Sequence, residues 1–310
     1  MPAGAVGSGS AESRGARGGP AELLPQELRI LVAVADSGGF SAAAAALGLT
    51  QSAVSHSVRG SETKLGAVLF ERGRGGASPT AAGERAVGHA RRILRLYEVM
   101  GAEVRGAGRG ADPVEGVLRI AAFRSAALHL LPPALERLTA RHPGIRPEVR
   151  VVREIGPGTA GEVAAGRADL GIATLGVAQG LPPGLLSGVL VEEAYALVHP
   201  AGHPEPRTLP LMDWDENCGS YTRAWWLEQD WIPRATVKAE DDAMVLTMVG
   251  RGLGMAIMPE LSLREATEAV DITCLGPEGP VRRVGYVTTS ESAATLAVRA
   301  LIRELRSTNG

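Results

Sequence analysis

Five consecutive alanines, Ala42 to Ala46, followed by Leu47, Gly48, Leu49 and Thr50, constrain this chain more than any other feature. Small side chains let two helices cross closely, and glycine takes the positive φ of a tight corner. The segment from residue 40 to 72 reads FSAAAAALGLTQSAVSHSVRGSETKLGAVLFER. A helix, a corner of three or four residues and a second helix are the parts of a helix-turn-helix.

The second helix divides into faces. Ser52, Ser55, His56 and Arg59 follow i, i+3, i+4, i+7 spacing, whereas Val54 and Val58 lie one turn apart on an inward side. Thr50 stands where an N-cap hydroxyl accepts from the first turn. The outward face has no carboxylate and carries short donors, an imidazole and a guanidinium. Such a face suits the major groove, where base edges and phosphates accept hydrogen bonds. A merely solvated polar face has the same spacing, so the helix alone leaves both readings open.

The flanks favour the first reading. Gly66 ends the helix, the segment Val68 to Arg72 is extended, Gly73-Arg74-Gly75-Gly76 forms a basic tip, and a further helix follows Thr80. This arrangement predicts a wing whose Arg72 and Arg74 reach phosphates or a minor groove. Phe40-Ser41, Ala44-Ala45, Leu47, Thr50 to Ser55, Leu65-Gly66, Leu69 to Arg72, and Thr80, Ala82 and Gly83 together resemble the LysR-type transcriptional regulators. The resemblance implies double-stranded DNA as partner, with Thr50, Gln51, Ser52, Ser55, His56, Arg59, Arg72, Arg74 and Thr80 at the interface. One departure is Gly60-Ser61, where the family carries a bulkier pair ending in Leu. A mid-helix Gly costs about 1 kcal/mol against Ala, which predicts a weakened or kinked helix end.

Charge is divided unevenly. The formal net charge is −2, yet residues 1–110 hold 13 Lys/Arg against 9 Asp/Glu, and residues 111–310 hold 19 against 25. The basic excess of +4 falls on the helix-turn-helix part and the −6 on the rest. With 45% hydrophobic but only 4% aromatic residues, aliphatic side chains must fill the cores. Cys218 and Cys274 lack metal or redox spacing and read as reduced, inert thiols. No apolar run reaches 18 residues, so no membrane span is expected. Residues 1–22, rich in Gly, Ala and Ser, lack the apolar stretch of a signal peptide and read as a disordered tail.

The expected organisation is α/β. A winged helix-turn-helix (23–80) leads to a long linker helix (81–106) and a Gly-rich hinge (107–115). Two α/β lobes follow, lobe I at 116–193 with 288–310 and lobe II at 194–287. The linker repeats apolar residues at Ala86, Ala90, Ile93, Leu94, Tyr97 and Met100, a stripe that needs a partner helix. Beyond it, strands are expected at 116–122, 148–152 and 168–173. Helices are expected at 128–141, 161–165, 245–249 and 292–306. The resemblance implies a dimerising linker, a further tetramer, and a two-lobed, periplasmic-binding-protein-like effector domain. Ligands of such sheets sit past the carboxyl ends of strands. That places an unnamed small-molecule effector near Arg124, Ser125 and Thr174, with Tyr221, Thr222 and Arg223 closing from lobe II. Arg124 and the helix start beside it suggest an anionic ligand. Trp225, Trp226 and Trp231 read as packing residues.

No catalytic, cofactor or metal site emerges. His199 and His203 are separated by Pro200, Ala201 and Gly202, so no helix presents them together and both read as loop residues. The cluster Glu240-Asp241-Asp242 reads as charge for a helix N-terminus. The expected function is a cytoplasmic, DNA-binding regulator modulated by a small molecule. Rival readings are a small-molecule binder or enzyme with incidental N-terminal helices, and a DNA-binding protein without an effector.

Overall fold

The computed structural model describes residues 22–73, 76–107, 114–176, 180–217 and 225–307. Two compact units divide at Ala86 and Val87. The expected tail, apart from Glu22, and the expected hinge from 108 to 113 lie outside the described residues.

In the N-terminal unit, α1 (Pro25–Ser37), α2 (Phe40–Leu47) and α3 (Gln51–Leu65) enclose Leu31, Val34, Ala43, Ala44, Val54 and Val58. Ala43 is fully buried, so the alanine run places small side chains where the helices cross. Gly48 ends α2 at φ 66°, and the Thr50 hydroxyl accepts the Ala53 N–H at 3.2 Å to start α3. Helix α3 runs uninterrupted through Gly60 and Ser61. The Ser61 hydroxyl, wholly buried, donates to the Ser57 carbonyl at 3.0 Å instead of making an apolar contact. Glu62 Oε1 accepts the N–H groups of Leu69 (2.8 Å) and Phe70 (3.3 Å), tying α3 to the hairpin of β1 (Phe70–Gly73) and β2 (Gly76–Pro79).

Helix α4 (Ala81–Ala107) is capped by Thr80, whose hydroxyl accepts the Gly83 N–H at 3.0 Å. From Val87 onward α4 is anchored in the C-terminal unit. Arg91 and Arg92 donate to the carbonyls of Ala165 (3.2 Å) and Ala164 (2.6 Å) at the end of α7 (Gly158–Ala164). Arg95 grips Asp169 through two bonds of 2.7 and 2.9 Å and also donates to the Val117 carbonyl. Along the same helix Ile93, Leu96, Tyr97, Met100 and Val104 are exposed.

The first lobe is a sheet in the order β4-β3-β5-β11-β6. Strand β3 (Gly116–Ala122) is parallel to β4 (Ile145–Val151) and β5 (Leu170–Leu175). Strand β11 (Val281–Thr289) runs antiparallel to β5 and to the first half of β6 (Leu185–Pro200). At Ala194 and Tyr195, β6 exchanges partners, and its second half pairs with β9 (Ala256–Pro259) and β10 (Val270–Cys274) to found the second lobe. A parallel pair, β7 (Leu211–Trp214) and β8 (Ala235–Ala239), joins this lobe through a bridge from Leu211 to Met255. Around the sheets pack α5 (Arg124–His129), α6 (Leu131–Arg141), α8 (Asp242–Gly250), α9 (Glu260–Leu263), α10 (Ser290–Ala294) and α11 (Leu296–Ser307).

Three expectations need correction. The helix expected over 128–141 is two helices meeting at Leu130, because Pro132 and Pro133 fit only a first turn, where their missing N–H costs nothing. Lobe II, expected to reach 287, gives up residues 281–287 to the first lobe's sheet, where long-range pairing of β11 with β5 and β6 places them. The closing helix is also in two pieces, with Thr295 extended between them.

Candidate functional site

On α3 the open face consists of Gln51, Ser52, His56 and Arg59, all exposed. Ser55, expected beside them, is 7% exposed and accepts Arg72 Nη2 at 3.0 Å. Ser55 lies on the same arc of α3 as Gln51 and Arg59, but Arg72 from the hairpin bonds to it and covers it. Arg72 is thereby fixed, its guanidinium 4.3 Å from the Phe40 ring centroid as well as on Ser55. This cation–π contact and hydrogen bond hold a positive charge beside the open face. Thr50 and Thr80 act as caps, their hydroxyls engaged with Ala53 and Gly83. Arg74 lies outside the described residues.

Between the lobes of the C-terminal unit lies a small recess of about 20 Å³, open to solvent. Its lining comes from the end of β3 and start of α5 (Phe123, Arg124, Ser125), from β6 and β7 (Tyr195, Trp214), and from Asn217 and Asp242. Arg124 Nη1 is paired across the recess with Asp242 (3.2 Å) and Glu265 (2.6 Å). Helix α5, with six residues, offers only a short N-terminus, and Ser125 at its start is buried. The anion site expected there is therefore occupied by the protein's own carboxylates. Thr174 is buried on β5 at 2% exposure, outside the recess lining. Tyr221, Thr222 and Arg223 lie outside the described residues.

Deeper contacts fasten the two lobes. Glu193 accepts Arg282 Nε at 2.7 Å and, through its other oxygen, the Leu261 N–H at 2.7 Å. Both side chains of this pair are nearly inaccessible, and Arg282 also stands 4.9 Å from the Phe123 ring centroid. Glu154 accepts from the amide and hydroxyl of Thr159. Burial nonetheless pushes its carboxyl above the usual carboxylate range, with the Thr159 bonds opposing the shift.

The two units match two family models. Residues 25–84 match "Bacterial regulatory helix-turn-helix protein, lysR family", and residues 111–310 match "LysR substrate binding domain". The chain belongs to the LysR family of transcriptional regulators. A probable HTH-type transcriptional regulator LrrA from Synechococcus elongatus is 34% identical over 246 residues, covering 76% of this chain and 81% of that protein. The regulator IlvY from Escherichia coli is 27% identical, covering 79% and 84%. Among solved structures, a full-length OxyR variant from Pseudomonas aeruginosa superposes with a TM-score of 0.68 at 22% identity, over 92% of this chain and 95% of that one. CbnR complexed with its target DNA gives 0.61 at 20% identity, over 92% and 100%. These structural likenesses establish the fold.

Several residues of this LysR-type regulator's cleft escape sequence reasoning. Glu154, Asn217 and Asp242 come from three distant segments and meet only through the fold. Asp242 carried a readable signal, because Asp241 caps α8 by accepting the Met244 N–H at 2.8 Å, as the acidic run suggested. Its second role, pairing with Arg124, has no local signature. His199, expected in a loop, is a buried β6 residue whose Nε2 lies 3.0 Å from the Thr273 hydroxyl. Cys274 is a free, exposed thiol, and Cys218 lies outside the described residues. Trp226 is buried among Tyr195, Leu197 and Ile257, with Trp225 and Trp231 packed against that cluster. No group of three or more His, Cys, Asp or Glu among the described residues is placed to hold a metal ion.

Proposed function

We propose that α3 enters the DNA major groove, with Gln51, Ser52, His56 and Arg59 meeting base edges while Arg72 neutralises a phosphate. The observation that carries this reading is the open, carboxylate-free face of α3 beside a guanidinium held by Ser55 and Phe40. The chain acts as a homodimer joined through the exposed apolar residues of α4, and dimers pair further into a tetramer. A small molecule in the cleft between the lobes modulates DNA binding through unequal affinity for two arrangements of the assembly. On this reading the protein works in the cytoplasm and is not an enzyme; no described helix is long and apolar enough to cross a membrane.

The test uses DNA fragments recovered by genomic capture with the purified chain, followed by anisotropy titration. Ser52→Glu and Arg59→Glu each place a carboxylate against the phosphate field and should weaken binding by about tenfold or more. Arg72→Ala should flatten the dependence of affinity on salt by about one unit of slope. Unchanged affinity for both glutamate variants removes α3 from the interface.

A further inference from the structure

One wall of the recess between the lobes is a buried amide, that of Asn217. Asn217 is 2% exposed, and its Oδ1 has no hydrogen-bond partner among the described residues. The amide orientation is determined, because Nδ2 donates to Asp213 Oδ1 at 3.0 Å and to the Ile257 carbonyl at 3.4 Å. Turning the amide over would aim its oxygen at two acceptors. A buried acceptor without a donor costs about 1–3 kcal/mol, and a bound donor relieves that cost.

The charge balance points the same way. Among the described residues, the lining holds two guanidinium groups, of Arg124 and Arg282, against three carboxylates, of Glu154, Glu216 and Asp242, leaving −1. Arg282 is paired with Glu193, Arg153 with Glu216, and Arg124 with both Asp242 and Glu265. Glu154 accepts hydrogen bonds from Thr159, and the charge of Arg282 also acts on it. With Glu154 protonated the lining is neutral, and both of its guanidinium groups already face carboxylates. An entering anion would have to displace two carboxylates from Arg124 and remain beside them. A cation meets no such exchange, and it would offset the burial that holds Glu154 above the usual range.

The walls add a third observation. Phe123, Tyr195 and Trp214 line the recess, each at most 4% exposed, in a chain with only eleven aromatic residues. Aromatic faces attract cations, and Arg282 over Phe123 already uses one in this way. We propose that the cleft recognises a small molecule by a cationic, hydrogen-donating end, an ammonium or amidinium group on an apolar or aromatic body. This rests on the reading of the cleft as the effector site. It replaces the anionic ligand that Arg124 alone suggested.

Calorimetric titration of the full chain with benzylammonium, benzyl alcohol and benzoate tests it, since the three share one ring and differ in charge. Benzylammonium should give saturable heat and bind about tenfold or more tighter than either of the others, a difference of about 1.4 kcal/mol. Glu216→Gln and Asn217→Leu should each weaken it several-fold, whereas Arg283→Gln, on the exposed side of β11, should leave it unchanged. If Asn217→Leu lowers the melting temperature, Glu216→Gln decides. Benzoate or benzyl alcohol binding as tightly as benzylammonium overturns the proposal and leaves the cleft as a binding site. Benzylammonium binding unaffected by Glu216→Gln also overturns it. Saturable heat from none of the three overturns both the proposal and the effector-cleft reading, while DNA binding by α3 stands on its own test.

Discussion

At the scale of single residues, side-chain type predicts chemistry only after exposure is known. Ser55 and Ser52 are the same residue three positions apart, yet one is a buried acceptor for Arg72 and the other faces outward. Glu154 shows the same dependence with a pH consequence. Burial raises its folded pKa above the unfolded value, so the folded state binds the proton more tightly. Stability therefore rises as pH falls through the raised pKa, and the rise is complete below the ordinary carboxylate value. Glu154→Gln carries the neutral form at every pH while keeping an acceptor for Thr159. It should stabilise the C-terminal unit near neutral pH by about 1 kcal/mol, raising Tm by roughly 2–4 °C. That gain should vanish when melting is repeated below the ordinary carboxylate pKa. A gain of equal size at both pH values would show that burial of charge is not its cause.

At the scale of elements, α3 combines a legible frame with one weak position. Thr50 at its start and Gly66 (φ 66°) at its end are local signals, and the structure has the helix running between them. Gly60 within it has open space where a Cβ would stand. Gly60→Ala should therefore raise the stability of the N-terminal unit by about 1 kcal/mol, read as a higher denaturant midpoint with an unchanged m-value. Loss of stability would mean that α3 needs its flexible point. The expected helix over 128–141 misled for a related reason. Periodicity reported two amphipathic helices as one, and only the proline pair at 132 and 133 marks the restart.

At the scale of the molecule, the decisive device is β6, one strand serving two lobes. Its sixteen residues pair with β11 up to Ala194 and with β9 and β10 beyond it, so the cleft forms where the strand changes partners. Glu193 and Arg282 stand at that point and fasten Leu261 of the second lobe to β11 of the first. Assembly belongs to this scale too. Met100 is 57% exposed and Val104 69% on α4, which is too much apolar surface for a solvated helix. Met100→Glu should shift the chain toward monomer in analytical ultracentrifugation and weaken DNA binding by about tenfold or more, because two reading heads no longer act together. An unchanged sedimentation profile would place the dimer contact elsewhere.

What the sequence determined by itself is local. The alanine run, the Gly48 corner, the Thr50 cap, the uninterrupted linker and the alternation of strands and helices depend on residues within a few positions of one another. Steric and hydrogen-bonding rules act at that range. What only the tertiary structure decided is the company each side chain keeps: Ser55 with Arg72, Arg124 with Asp242 and Glu265, and Asn217 with an acceptor left open. Arg124 and Glu265 are 141 positions apart, and no periodicity or propensity reports such a pairing. Charge compensation depends on distance in space, so the cleft's preference for a cation became visible only when the sheets had brought its carboxylates together.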